Sequence, residues 1–185
     1  MNIKELKVGL SSPDHLKRKD VLRQFRDDPF GIEALPLLRR LIEDADVQIV
    51  IYAAECIAKL GPEAVSCPAG QAIIPAGTGG DRVDLVWQLQ LAGSKFWGYS
   101  IYANCYSACL DALVKLKADD DFVLDYIHNH IGLGCTDDLI DSLKALMTIG
   151  TPEALDLFRR AVAFWLPELD KTYTKKVQAL VAKMK

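Results

Sequence analysis

Apolar residues recur at every third or fourth position between Gly31 and Ala64, and this spacing predicts two helices. The residues from Glu43 to Asp46 interrupt the spacing, so we expect a tight turn there, with Asp46 capping the second helix. Gly61 and Pro62 end that helix. The apolar stripes are Leu35, Leu38, Leu41 and Ile42 on the first helix and Ile49, Ala53, Ile57 and Leu60 on the second. The stretch is therefore predicted to be an antiparallel helical hairpin.

Helix ends recur along the chain at a nearly constant spacing. A hairpin of this kind buries its faces only against similar neighbours, so copies of it are expected. Aligned helix ends are Phe25, Leu60, Leu116, Ile149 and Met184, separated by 35, 56, 33 and 35 residues. Three separations have the length of a stacked helical-hairpin repeat, and the longest contains an insertion of about 20 residues. We predict an all-α single domain, residues 1–185: a right-handed α-α superhelix, or solenoid, of about four hairpins with a loop insertion at residues 65–80.

The joints between hairpins also repeat. Leu60-Gly61-Pro62-Glu63-Ala64 is matched by Ile149-Gly150-Thr151-Pro152-Glu153-Ala154, with glycine at a helix end and proline near the next helix start. These residues resemble the HEAT repeat family, whose bacterial members often have an apolar helix, an acidic turn, an alanine-rich helix, and then Leu-Gly and Pro-Glu-Ala. The resemblance is strongest over residues 31–64, weaker over 122–150 and 152–185, and weakest over 81–116. The family usually has an arginine where this chain has Val50.

Three further segments complete the predicted elements. A helix is expected from Pro13 to Phe25, capped by Ser12, and another from Asp81 to about Leu91. Asp119, Asp120 and Asp121 favour a helix start near Phe122 through the helix dipole. The insertion VSCPAGQAIIPAGTGG has too much glycine and proline to be helical through most of its length, and we expect an ordered loop. Its Ile73 and Ile74 are predicted to be buried near Trp97 or Tyr102.

The composition is typical of a globular protein, since half of the 185 residues are apolar and the formal net charge is only −3. That charge gives no general attraction to nucleic acid or to a membrane. The first residues lack the apolar core of a signal peptide, and no apolar run reaches the roughly 18 residues of a membrane span, so a cytoplasmic location is expected. The odd number of cysteines favours reduced packing residues, which are Cys56, Cys67, Cys105, Cys109 and Cys135.

Residues that carry catalysis are scarce. His128 and His130 lie near Cys135, but residues two apart on a helix point to different sides, and no fourth ligand has a zinc-site spacing. The His-Glu pairs of the HEAT-like deoxyhypusine hydroxylases are missing. The glycine-rich end of the insertion, residues 77–80, lacks the lysine of a phosphate-binding loop. We predict no catalytic residue, no metal and no cofactor.

Charge is divided unevenly along the chain. Residues 1–40 and 159–185 carry net charges of +3 and +5, whereas residues 41–158 carry −11. We therefore expect an acidic central surface that binds a basic protein. HEAT-like alkylpurine DNA glycosylases hold phosphates on a basic concave face, so the acidic centre argues against that activity and against nucleic acid as a partner.

In HEAT repeats the second helix of each hairpin lines the concave side, which identifies the outward positions of these helices as a protein-binding surface by resemblance. The predicted binding residues are Tyr52, Glu55, Lys59, Asp111, Lys115, Asp137, Asp141 and Lys144. The alternative is that these charges only keep the protein soluble. A second candidate surface is the aromatic group Trp97, Tyr99, Tyr102 and Tyr106, which otherwise fills the space beneath the insertion.

Two functional hypotheses follow. The first is a non-catalytic interaction protein, such as an adaptor or an immunity-type inhibitor of a toxin, that captures another protein on its concave acidic face. The second is an enzymatic accessory protein similar to the phycobilin lyases, which also resemble HEAT repeats, with a pocket lined by the aromatic group.

Overall fold

A computed structural model describes residues 3–27, 31–71, 74–75, 82–95, 103–131 and 135–184. These residues are almost entirely helical, which confirms the prediction of an all-α protein. The helices are α1 Ile3–Leu10, α2 His15–Asp27, α3 Leu35–Leu41, α4 Val47–Leu60, α5 Glu63–Ser66, α6 Pro68–Gln71, α7 Leu85–Lys95, α8 Ala103–Lys115, α9 Asp120–His130, α10 Thr136–Ile149, α11 Pro152–Trp165 and α12 Lys171–Val181. Two-residue strands, β1 Ile74–Pro75 and β2 Arg82–Val83, pair antiparallel, and 3₁₀ turns cover Ile32–Ala34 and Leu166–Glu168.

The helices pack in an order that follows the chain. Helix α4 lies between α2 and α8, α8 lies between α4 and α10, and α10 also contacts α12. Each member of this series is covered by a helix adjacent to it in sequence: α1 packs on α2, α3 on α4, α7 on α8, and both α9 and α11 on α10. The buried apolar side chains form one continuous cluster, which extends from Leu6 in α1 to Val177 in α12. Within the described ranges, no helix is both long enough and apolar enough to cross a membrane.

The predicted hairpin is present, with the expected turn and ends. The Asp46 carboxylate accepts a hydrogen bond from the Gln48 amide at 2.9 Å and so caps α4. Gly61 follows α4 at φ 72° and ψ −170°, a conformation open to glycine alone, and Gly150 follows α10 in the left-handed region at φ 70° and ψ 5°. Both joints therefore require glycine. The first helix is shorter than expected because residues Ile32–Ala34 form a 3₁₀ turn.

The N-terminal helix prediction was wrong in two respects. Residues Ile3–Leu10 form α1, which the sequence analysis did not predict. Helix α2 begins at His15 and not at Pro13, because the Asp14 carboxylate accepts from the Leu16 amide at 2.9 Å and caps the helix. Ser12, the expected cap, instead accepts from the Asp14 amide at 3.2 Å.

Helix α7 also differs from its predicted range. It begins at Leu85, four residues later than expected, since the Asp84 carboxylate accepts from the Trp87 amide at 3.0 Å. It then continues through Gly93, where the sequence suggested a stop. A side chain at Gly93 would bring its Cβ within 2.0 Å of the Tyr126 hydroxyl oxygen, so glycine there permits close packing of α7 against α9.

The first part of the insertion contains helical turns, where we expected an ordered loop. Residues that we expected to be non-helical form the one-turn helix α6 and part of α5. Pro68 is compatible with the helix because it is the first residue of α6, where no backbone amide donor is needed. Gly70 is buried, and a Cβ there would overlap the Ala64 carbonyl oxygen. Ile73, the side chain of Ile74, Trp97 and Tyr102 lie outside the described residues, so their predicted burial remains a prediction.

A buried arginine holds the insertion against the helices. Arg39 in α3 is only 2% exposed. Its Nη1 donates to the Ala69 carbonyl oxygen at 2.5 Å, and its Nε donates to Gln88 Oε1 at 2.6 Å. Gln88 Nε2 donates in turn to Glu43 Oε1 at 2.8 Å. Arg39 therefore ties α3, α6 and α7 together, and burial lowers its pKa although Asp84 and Glu43 oppose that shift.

Substituting Arg39→Met should lower the free energy of unfolding by roughly 2–5 kcal/mol, because buried acceptors on Ala69 and Gln88 lose their donor. The matched control is Arg40→Met on the exposed side of the same helix, which should change stability by less than about 0.5 kcal/mol. Urea unfolding measures both. Equal stability of the two variants would contradict the role assigned to Arg39.

Candidate functional site

A cleft of about 700 Å³ lies between α4, α8 and α10. Helix α8 forms its middle, and α4 and α10 form its sides. Six of the eight predicted binding residues line it: Tyr52, Glu55, Asp111, Lys115, Asp141 and Lys144. The structure thus brings together residues that are up to 92 positions apart in the sequence.

The helical phase of each element explains why these side chains meet. In α4, residues such as Ile49, Ala53 and Ile57 are fully buried, so Tyr52 and Glu55 lie on the side that faces the cleft. Helices α8 and α10 repeat this arrangement with different residues. Each of the three helices therefore presents polar side chains to the same space, beside apolar ones such as Ile51, Val114 and Ala145.

At the α4 edge, two arginines of α2 contact the predicted residues. Arg26 Nη1 lies 3.1 Å from Glu55 Oε2, and this hydrogen bond is the main cause of the raised pKa of Arg26. The guanidinium carbons of Arg23 and Arg26 each lie 5.5 Å from the centre of the Tyr52 ring. Arg23 Nε also donates to the Tyr52 hydroxyl at 3.2 Å. Lys59 is not part of the cleft, and its Nζ donates to the Arg26 carbonyl oxygen.

Across α8 and α10 the carboxylates are likewise paired with cations. Asp111 lies 2.7 Å from Lys115 Nζ, and Asp141 lies 2.7 Å from Lys144 Nζ. Ser107 Oγ donates to the second oxygen of Asp141 at 2.7 Å.

Asp137, predicted as part of the same band, does not line the cleft. It contacts α12, where Lys176 Nζ is 3.8 Å away and the Tyr173 hydroxyl donates to it at 3.2 Å. All four predicted carboxylates therefore have a cationic partner, and the band is a set of ion pairs.

The sequence analysis missed the residues that complete these pairs. Arg23, Arg26 and Ser107 were not among the predicted residues, although each contacts one that was. Arg26 and Glu55 are 29 residues apart and lie on neighbouring helices. Only the packing of α2 against α4 reveals this pair, since the sequence does not fix which residues of adjacent helices meet.

The second predicted surface has one described member, Tyr106, and it belongs to the core. Tyr106 is 1% exposed, and its hydroxyl is 2.9 Å from Ser142 Oγ. Burial raises its pKa. Its ring packs against Tyr126 and His130, with centroids 5.3 Å and 5.5 Å away. Trp97, Tyr99 and Tyr102 lie outside the described residues.

The histidines and cysteines occupy structural positions. His130 is hydrogen-bonded to Ser94 Oγ at 3.0 Å and to the Tyr126 carbonyl oxygen at 2.7 Å, whereas His128 is exposed. In the described part of the chain, no three His, Cys, Asp or Glu side chains converge as metal ligands. Cys56 is buried, and burial raises its pKa to about 12, which keeps it a protonated packing residue at neutral pH. All five cysteines are free thiols.

Comparison with known proteins returns no matching family model and no significantly similar curated sequence.

Substituting Tyr106→Phe should lower the free energy of unfolding by about 1–2 kcal/mol, because the buried Ser142 hydroxyl loses its partner. Tyr52→Phe is the matched control: its hydroxyl contact with Arg23 is exposed, so the expected change is below about 0.5 kcal/mol. Thermal and urea unfolding provide the comparison. A Tyr106→Phe variant as stable as the control would show that Tyr106 is not the core residue described above.

Proposed function

We propose that this chain is a non-catalytic protein-interaction scaffold, built as a HEAT-like solenoid, whose central cleft binds a protein with net basic charge. The observation that carries the proposal is the convergence of six predicted surface residues on the cleft between α4, α8 and α10. These positions were chosen on a repeat pattern, so their convergence supports the pattern and the surface together.

The order of helix contacts supports a solenoid. In stacked hairpin repeats each unit contacts only its neighbours. The series α2, α4, α8, α10 and α12 has this property, since each helix packs on the next. Helices α1, α3 and α7 each cover one member of that series, and α9 contacts both α8 and α10. The α5 and α6 turns then account for part of the insertion between the second and third pairs.

The lining of the cleft favours a protein surface over a small organic ligand. Small-molecule sites bury most of the ligand surface and have only a few placed polar groups. Here the sides carry solvent-exposed ion pairs, such as that of Asp111 with Lys115. An exposed pair contributes only about 0–1 kcal/mol, so charged groups of a partner replace its members at little cost.

The charge of the partner follows from the surroundings of the cleft. Residues 41–158, which supply α4, α8 and α10, carry a net charge of −11. That surplus attracts a basic protein over long range and raises its association rate at low salt. The ion-paired residues in the cleft then determine the orientation of the bound partner more than the affinity of the complex.

The test uses a partner isolated by affinity capture from the native cell and identified by mass spectrometry. With that partner, the double substitution Asp111→Lys and Asp141→Lys should reduce the association rate about tenfold and weaken its salt dependence. Stability should change by less than about 0.5 kcal/mol, because both carboxylates are partly exposed.

Glu63→Lys with Glu168→Lys is the matched control, because it changes the net charge equally at exposed residues that do not line the cleft. Stopped-flow or surface-based kinetics at two salt concentrations distinguish the variants. If the cleft variant and the control variant reduce the association rate equally, net charge alone determines the rate. If the cleft variant leaves the rate unchanged, the partner binds at another surface.

A further inference from the structure

A second groove runs between α9 and α11 and shares no lining residue with the cleft. It consists of two adjoining cavities of about 450 Å³ and 410 Å³. His128, Leu157 and Arg160 line both, so the cavities form one continuous depression. This groove played no part in the prediction from sequence.

The two helices that form the groove run in the same direction. Residues early in α9, such as Asp125, line the same cavity as Glu153 at the start of α11, whereas Ile131 after α9 lines the other cavity with Phe164. From Glu153 to Phe164 the groove follows eleven residues of helix, or roughly 17 Å at 1.5 Å per residue. That length matches about three turns of a bound helix.

The groove has an apolar floor and exposed aromatic residues at its two ends. Leu157 and Ala161 are buried beneath it. Phe122 at one end is 47% exposed and contacts Trp87 edge-on, with centroids 6.4 Å apart. Phe164 at the other end is 69% exposed. Large aromatic side chains that frame an apolar groove are the residue types that most often anchor a protein partner.

The carboxylates along this groove differ from those of the cleft, because none has a cationic partner among the described residues. Asp121, Asp125 and Glu153 make no ion pair with any residue in the described ranges. Among the described residues, Arg160 is the one lysine or arginine that lines the groove, and it is paired with Asp156 at 2.9 Å. Asp121 and Glu153 lie in the first turns of α9 and α11, where their negative charge interacts favourably with the helix dipole. Asp125 lies in the second turn of α9, where this interaction does not apply.

We propose that this groove binds a basic amphipathic helix of about three turns, supplied by another protein. The apolar stripe of that helix packs on Leu157 and Ala161 between the two exposed phenylalanines. Its lysines or arginines pair with Asp121, Asp125 and Glu153, which have no partner within the chain as described. In this mode of recognition, the apolar face of a helix lies in a groove that charged residues flank. The backbone of the groove does not have to change.

A second copy of this chain is a poorer occupant. Its basic helices α2 and α12 bury Leu22, Phe25 and Val177 in their own core, and each leaves one large apolar side chain exposed, Leu16 in α2 and Val181 in α12. A single exposed apolar residue does not form the apolar stripe that would pack along the groove. The proposal does not depend on binding at the cleft, and the two sites are distinguished by separate substitutions.

The test is selection from a displayed library of segments of about 14 residues, with apolar residues fixed at helical spacing and all other positions free. The full chain is the target. Enriched segments should carry net positive charge, and their affinity should fall as salt is raised. Asp125→Lys with Glu153→Lys, and separately Phe164→Ser, should each weaken binding at least tenfold. Asp111→Lys with Asp141→Lys is the control and should leave the affinity unchanged.

Four outcomes would overturn the proposal: no enriched segment, enrichment of acidic segments, binding that is insensitive to both groove variants, or equal loss in the cleft variant. Self-association is measured in parallel by sedimentation. A dimer that disappears in Phe164→Ser would assign the groove to a second copy, which also contradicts the proposed occupant. Circular dichroism confirms that each variant is folded, and Phe164 is exposed enough for its loss to be tolerated.

Discussion

Helix α8 is buried because α4 and α10 lie on either side of it and α7 covers it, and the rest of the structure depends on this packing. Its core residues include Cys105, Cys109, Leu110 and Leu113, all nearly inaccessible to solvent. A single helical hairpin has two apolar stripes and no means of covering both outer faces, so neighbouring hairpins supply the missing contacts. The chain order of the helix contacts follows from that requirement. The cleft follows too, because three helices placed side by side leave polar side chains facing one space.

The parts of the fold that the sequence predicted are those governed by local chemistry. The spacing of Leu35, Leu38 and Leu41 predicted a buried helix face, and all three side chains are buried. Asp46 and the glycines at 61 and 150 marked helix boundaries, because capping and positive φ depend on the residue itself. The six residues of the cleft came from the resemblance to HEAT repeats together with the alignment of helix ends, which also gave Lys59 and Asp137 outside the cleft.

Other features depended on contacts that the pattern of residues does not specify. Ser12 and Asp14 both suit a helix cap, and the pattern of polar residues does not decide between them. Gly93 suggested a helix end, yet the close approach of Tyr126 is what requires it. Nothing in the sequence marked Arg39 as buried, yet its side chain lies against the Ala69 carbonyl and Gln88. In each case the deciding neighbour is between two and 49 residues away, and no local pattern identifies it.

The distribution of ion pairs changes the interpretation of the charge pattern. The acidic centre of the chain suggested one negative surface, but its carboxylates are of two kinds. Those of the cleft are paired with Arg26, Lys115 and Lys144, whereas Asp121, Asp125 and Glu153 at the α9–α11 groove have no such partner as far as the chain is described. Net charge per segment thus indicates long-range attraction, and the pairing of individual side chains indicates where a partner's cations bind.

Labelling of carboxyl groups, read by mass spectrometry in the presence and absence of the captured partner, tests the central claim most directly. Our account predicts that Glu55, Asp111 and Asp141 become protected together, since one partner covers all three helices of the cleft. Glu63, which lies outside the cleft, should keep its reactivity and serves as the internal reference. Unchanged labelling of all three cleft residues, with protection confined to other carboxylates, would contradict the assignment of the cleft as the partner-binding surface.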